Sequence, residues 1–268
     1  MPHLAPAPPM AELKAPPRWR TVDFISDLHL MPGNFEPVRA ALQSYLAGDP
    51  PHALFVLGDL FEIWVGDDAV GTDPFAQTCA ALFKRVAASV DLFFMHGNRD
   101  FLIGEAFMKQ CGATLLADPT VLAFDDRRWL LTHGDALCLA DTDYMAFRAQ
   151  VRQPQYQSDF LARPLAERIA IARHMREQSE SRKGSGVEYA DVDSDAARDW
   201  LAASDARVMI HGHTHKPAEH DLGATPFAAD RTLTRVVLSD WDGTAEPPRR
   251  QLLRLEAGVG GLPRRIDL

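Results

Sequence analysis

Ala53-Leu-Phe-Val-Leu57, with the Gly58-Asp59 pair that follows it, sets how the rest of the chain reads. A nearly continuous apolar run of this length predicts a strand buried on both faces. The glycine lets the backbone turn sharply, and an aspartate stands at the strand's end. The same event recurs on either side. Thr21 to Ser26 runs into Asp27-Leu-His29, and Val90 to Met95 ends at Gly97-Asn98-Arg99-Asp100. Further on, Arg128 to Thr132 ends at His133-Gly-Asp135, and Arg207 to Ile210 at His211-Gly-His-Thr-His215. Pro37 to Leu46 reads as a helix opening on proline, and Pro74 to Ala88 places Phe75, Cys79, Leu82, Phe83 and Val86 at helical spacing. Strands alternating with helices predict an α/β fold, whose functional crevice lies outside the carboxyl ends of its strands. Trp241 and the residues beyond it, including Gln251 to Leu255, read as terminal strands of the second sheet.

Taken singly, an Asp-x-His or a Gly-Asp is only a turn. Taken together after five buried strands, they assemble Asp27, His29, Asp59, Asn98, His133, His213 and His215. Four imidazoles, two carboxylates and one amide oxygen form a nitrogen and oxygen set without sulfur, suited to Mn²⁺, Fe²⁺ or Zn²⁺. Seven side chains are too many for one open site and natural for two adjacent ions. Asp59, alone in its motif and central in order, is the candidate bridge between them. Asp27, His29 and His215 complete one site, and Asn98, His133 and His213 the other. Two ions about 3.5–4 Å apart clamp the oxygens of a phosphoryl centre, so the expected chemistry is phosphoester or phosphoanhydride hydrolysis.

Composition narrows the classes around this centre. Of 268 residues, 46% are hydrophobic and 24% charged, which excludes collagen-like, coiled-coil and wholly disordered chains. A formal charge of −9 argues against a broad basic face for nucleic acid, and no nucleic-acid partner is expected. Cys79, Cys111 and Cys138 have no CxxC spacing and read as buried thiols in a reducing cytosol. No apolar stretch approaches the length of a membrane span, and the N-terminus lacks a signal-peptide pattern. Residues 1–18 carry six of the nineteen prolines and read as a disordered extension ahead of a domain over 19–268.

The blocks Ile25-Ser-Asp-Leu-His-Leu30, Gly58-Asp-Leu-Phe-Glu-Ile-Trp-Val-Gly-Asp-Asp68, His96-Gly-Asn-Arg-Asp-Phe-Leu-Ile-Gly104, His133-Gly-Asp-Ala-Leu-Cys138, Pro164-Leu-Ala-Glu-Arg168 and His211-Gly-His-Thr-His-Lys-Pro217 resemble the calcineurin-like metallophosphoesterase superfamily. Within it they are most similar to the branch that hydrolyses UDP-2,3-diacylglucosamine in lipid A biosynthesis. Arg99 stands where many relatives carry histidine, and its permanent charge suits a clamp on a diphosphate. The resemblance implies two packed mixed β-sheets flanked by helices, in four αββα layers, and two Mn²⁺ per chain. It also implies water attack on the α-phosphorus, giving UMP and 2,3-diacylglucosamine 1-phosphate. Asp59, Asn98, Arg99 and His213 are then the expected catalytic set, and Asn98, Arg99, Asp141, Tyr144, Ser179, Lys183 and His213 the substrate contacts. Another metallophosphoesterase acting on nucleotides or phosphodiesters, such as a dinucleoside tetraphosphatase, and a non-catalytic metal-stabilised scaffold are the alternatives, the latter disfavoured because all seven candidate ligands are present.

Eighty positions separate His133 from His213, more than one strand and one helix require. Tyr144 to Lys183 carries Arg148, Arg152, Arg163, Arg168, Arg173, Arg176, Arg182 and Lys183 against four acidic residues. Met145, Phe147, Val151, Phe160, Leu161, Leu165, Ile169 and Met175 recur mostly at helical intervals. This predicts a basic amphipathic helical lid over about 140–192, meeting an anionic membrane surface at the cytoplasmic face of the inner membrane. A helical cap with a solvated arginine face explains the same pattern. No protein partner is evident.

Overall fold

The computed structural model describes residues 7–184, 190–225, 228–243 and 245–268, with side chains at all of these except 178–184, 225 and 228–231. In chain order the strands are β1 (Ala11–Lys14), β2 (Thr21–Ile25), β3 (Ala53–Leu57), β4 (Asp91–Met95), β5 (Thr114–Leu116), β6 (Thr120–Phe124), β7 (Arg127–Leu131), β8 (Val208–His211), β9 (Glu219–Thr225), β10 (Ala228–Val237), β11 (Gln251–Glu256) and β12 (Arg264–Asp267). The helices are α1 (Phe35–Gly48), α2 (Pro74–Ala87), α3 (Glu105–Cys111), α4 (Thr142–Val151), α5 (Pro154–Leu161), α6 (Leu165–Gly184) and α7 (Ser194–Ser204). Two six-stranded sheets result, ordered β12-β11-β2-β3-β4-β5 and β1-β6-β7-β8-β10-β9. Both mix parallel and antiparallel pairs, as the two-sheet α/β expectation requires.

The alternation of each strand divides its side chains between two cores. Phe55 and Leu57 of β3 face Trp129, Leu131, Ile210 and Val236 across the sheets, and Phe55 stacks on Phe93 with centroids 4.7 Å apart. Leu54 and Val56 point the other way, into the cluster roofed by Val38, Leu42, Cys79, Leu82, Phe83 and Phe107. On the far side, α7 closes the second sheet with Ala197, Trp200 and Leu201. All five residues of β3 are buried because this strand is covered on both faces. Asp73 caps α2 by accepting the N–H of Phe75 at 2.9 Å, with Pro74 in the first turn.

Two expectations fail. Residues 1–6 of the expected disordered extension lie outside the described residues, but Ala11–Lys14 forms a strand, pairing parallel to β6 at the sheet edge. The prolines flank this segment without interrupting it, and Leu13 packs against the inter-sheet core. The residues from Gln251 do not extend the second sheet. β11 lies antiparallel to β2 in the first sheet, and Trp241 packs beneath that sheet with Leu252. A return across the molecule leaves no local mark in the sequence.

Candidate metal centre

β2, β3 and β4 run parallel as neighbours in one sheet, and β7 and β8 do so in the other. Packing the sheets face to face brings the carboxyl ends of all five strands to one rim. Five of the eight described non-glycine residues with positive φ are Asp27, Asp59, His29, His213 and His215, between 45° and 68°. Such backbone is uncommon for residues with a Cβ and persists only where the surroundings determine it. Here they do: Asp27 N–H donates to the Gly58 carbonyl at 3.1 Å and His29 N–H to the Asp59 carbonyl at 3.0 Å. His213 N–H donates to Asp27 Oδ2 at 3.0 Å, and Arg99 N–H to Asp59 Oδ1 at 2.9 Å. Gly97 is glycine because a Cβ there would fall on the Asp59 carboxylate and backbone nitrogen.

The seven predicted ligands come together. His29 and His215 face each other through Nε2 at 3.2 Å, and His215 Nε2 lies 3.3 Å from Asp27 Oδ1. Asn98 Oδ1 lies 3.0 Å from His133 Nε2 and 2.9 Å from His213 Nδ1. Between the two groups stands Asp59, with Oδ2 3.9 Å from His29 Nε2 and Oδ1 3.7 Å from His133 Nε2. Donor atoms of Asp27, His29 and His215, and of Asp27, Asp59 and His133, are close enough to share an ion. Asp27 therefore reaches toward both groups, which the sequence assigned to one alone.

A hydrogen bond at the other ring nitrogen orients His133, and carboxylates stand behind the rings of His29 and His215. His133 Nδ1–H donates to the Leu57 carbonyl at 2.9 Å, leaving Nε2 facing the cavity. Nδ1 of His29 meets Glu62 Oε2 at 3.0 Å, and Nδ1 of His215 lies 3.8 Å from Asp240 Oδ2. Burial would lower the pKa of His133, yet Asp59, Asp27 and Asp135 push it up to about 9. Burial, then the neighbouring His133, brings His213 down to about 4. Burial also opposes ionisation of Asp27, but His215, His133 and His29 hold its carboxyl well below the usual range. The carboxylates thus favour positive charge at His133, whereas burial and His133 disfavour it at His213. Lone-pair donors turned toward a common point, with carboxylates or a carbonyl behind the outer nitrogens of His133, His29 and His215, fit a pair of divalent ions.

Other predicted residues divide. Arg99 lies at the rim, 3.7 Å from Glu62. Asp141 caps α4, accepting the Tyr144 N–H at 3.0 Å, and the Tyr144 hydroxyl is spent on the buried Asp135 at 2.5 Å. The Tyr144 ring stacks on His213 with centroids 6.0 Å apart. The side chains of Ser179 and Lys183 lie outside the described residues. Of the strong Gly58–Asp68 block, Asp67 anchors the start of α3 through Gly104 and Phe107 N–H, both at 2.9 Å. Asp68 pairs with both terminal nitrogens of Arg168, 2% exposed, tying α6 to the body. His211 is a satisfied core histidine, its Nδ1 2.8 Å from the Gly212 carbonyl and its Nε2 3.1 Å from Arg235.

The basic face expected of the insertion turns largely inward. Arg148 donates to Asp135 at 2.8 Å, and Arg152 to the Gly97 carbonyl at 2.9 Å while covering the Phe101 ring. Arg176 pairs with Glu62. Arg163 and Arg173 are exposed, as are the apolar Leu161 and Met175. Sequence reasoning missed Glu62, Asp135 and Asp240. Asp135 sits inside the His133-Gly-Asp motif, a signal that was present; Asp240 carries none, following a strand whose place in the sheet was unknown.

Residues 20–217 match the family model of the calcineurin-like phosphoesterases. The UDP-2,3-diacylglucosamine hydrolase of Chromobacterium violaceum is 44% identical over 250 residues, covering 90% of this chain and 98% of that protein. The enzyme of the same name from Cellvibrio japonicus is 43% identical over 222 residues, covering 81% of this chain and 90% of the relative. That of Stenotrophomonas maltophilia is 42% identical over 250 residues, covering 89% and 96%.

Proposed function

The chain belongs to the calcineurin-like phosphoesterase family, and from that premise we propose that it hydrolyses the diphosphate of UDP-2,3-diacylglucosamine in lipid A biosynthesis, releasing UMP and 2,3-diacylglucosamine 1-phosphate. The observation that carries the reading is Asp59, whose two oxygens face His29 and His133 on opposite sides of the centre. Asp27, His29, Asp59 and His215 would hold one ion, and Asp59, Asn98, His133 and His213 the other. We assign both as Mn²⁺, a metal that accepts mixed imidazole and carboxylate donors. Bound there, two divalent ions activate water and neutralise charge on phosphoryl oxygens.

The chain's own residues do the rest. Asn98 and Arg99, on the turn fixed by Gly97, orient the α-phosphate, with the guanidinium able to fork onto its oxygens. His213 takes part from the opposite sheet, its ring backed by Tyr144. Asp141, Tyr144, Ser179 and Lys183 extend this contact toward the nucleotide and the glucosamine. Asp141 and Tyr144 also act on the helix and on Asp135, so their substitution affects the lid as well as binding.

Helices α4, α5 and α6 form the lid within the expected 140–192 span, of which 185–189 lie outside the described residues, and the protein works peripherally at the cytoplasmic face of the inner membrane. Exposed Leu161, Met175, Arg163 and Arg173 support this placement, and no described helix is long and apolar enough to cross a membrane. The test is UMP release from the acylated UDP-sugar, its unacylated form and simple dinucleotides, each with Mn²⁺ and after chelation. Preference for the acylated substrate with Mn²⁺ supports the reading. Equal turnover of the unacylated sugar sinks the lipid assignment.

A further inference from the structure

Outside the seven candidate ligands, one carboxylate touches three functional groups at once. Glu62 follows Asp59 by three residues and is held beside the centre by its own N–H, which donates to the Leu30 carbonyl at 3.3 Å. Its Oε2 meets Nδ1 of His29 at 3.0 Å. Its Oε1 faces Arg99 Nη1 at 3.7 Å and pairs with Arg176, which α6 carries in from the lid. The Glu62 side chain is only 12% exposed, so water screens these contacts weakly.

Resting on the function proposed above, we propose that Glu62 is a positioning residue that couples the lid helix α6 to the metal centre and sets two arginines for the anionic diphosphate. One oxygen fixes the ring of His29, whose Nε2 faces Asp59 and His215. The other draws together two guanidiniums that repel each other without it. Two positive charges against one negative leave this corner net positive, as a diphosphate requires. Gathering the arginines before substrate arrives removes part of the ordering cost of binding. Asp240, the carboxylate near His215, is held instead by Arg249, so it makes no link to α6.

The experiment uses the full chain carrying Glu62→Gln, Glu62→Ala, Arg176→Gln and the Glu62→Gln/Arg176→Gln pair. Mn²⁺ affinity is read by calorimetric titration, and kcat and KM by UMP release from the acylated UDP-sugar. Glu62→Gln keeps an acceptor for His29 and loses the charge. It is expected to hold Mn²⁺ within about threefold of the parent while KM rises about tenfold, more than kcat falls. Arg176→Gln should reproduce the KM rise, and the pair should add little to either. Glu62→Ala should also weaken Mn²⁺ binding by about 10–100-fold.

Parent-like Mn²⁺ binding by Glu62→Ala, or KM effects that multiply in the pair, overturns the proposal. If Glu62→Ala does not fold, the Glu62→Gln and Arg176→Gln cycle decides. A parent that releases no UMP refutes the function, while the Mn²⁺ titrations still decide whether Glu62 positions His29.

Discussion

The strand-end centre and the helical insertion are both dense in charge, yet they yield to sequence reading to very different degrees. At the centre, each candidate ligand sits beside the turn that aims it, as in Gly58-Asp59 or Gly97-Asn98. Backbone conformation and side-chain chemistry are written within a few neighbouring residues. In the insertion, an arginine's role depends on a partner outside its own helix. Arg148 finds Asp135, Arg152 finds the Gly97 carbonyl, and Arg168 finds Asp68 a hundred positions earlier. A helical charge pattern therefore announces a helix without saying which side of it meets water.

The sharpest way to break this contrast is at its local end. Asp59→Ala should lower kcat by about a thousandfold or more, since both groups of donors lose their shared carboxylate. Calorimetry should show the Mn²⁺ stoichiometry falling below two per chain. Near-parental turnover would remove the bridging role. Next in size is Gly97→Ala, whose methyl group would meet the backbone nitrogen and carboxylate of Asp59. We expect a loss of about 2–3 kcal/mol in chemical denaturation and about a hundredfold in activity. A variant as stable and active as the parent would show that the turn is not so tightly determined.

The insertion supplies the smaller effects. Arg148→Ala leaves the buried Asp135 with fewer partners and should cost about 2 kcal/mol, discounted because the arginine is partly exposed and Tyr144 and Arg152 remain nearby. Arg173→Ala, on an exposed position, should cost less than about 0.5 kcal/mol in the same measurement. Equal costs would erase the distinction between inward and outward arginines. In membrane binding rather than stability, Arg163→Gln and Arg173→Gln should each weaken sedimentation with anionic vesicles by about fivefold at low salt, corresponding to about 1 kcal/mol per charge. No change in binding or in its salt sensitivity would remove the membrane role of that face.

The two-sheet architecture and the ligand cluster were readable because buried strands are short, apolar and punctuated. What escaped was non-local. The pairing of β1 with β6 joins a proline-flanked segment to a strand more than a hundred residues later. The return of β11 to β2 closes the first sheet from the far end of the chain. Asp240 reaches His215 only once β10 has been placed beside β8. Glu62 was quoted within a motif, but its three partners lie on three separate elements. Periodicity reports which face of an element is buried, and not what it is buried against.

The most direct test of the whole account is hydrolysis of UDP-2,3-diacylglucosamine by the purified chain in heavy-oxygen water, with Mn²⁺ present and then chelated. The account predicts equimolar UMP and sugar 1-phosphate, the heavy oxygen in the UMP, and no turnover after chelation. Heavy oxygen in the sugar 1-phosphate, undiminished turnover after chelation, or an intact substrate with Mn²⁺ bound would contradict it.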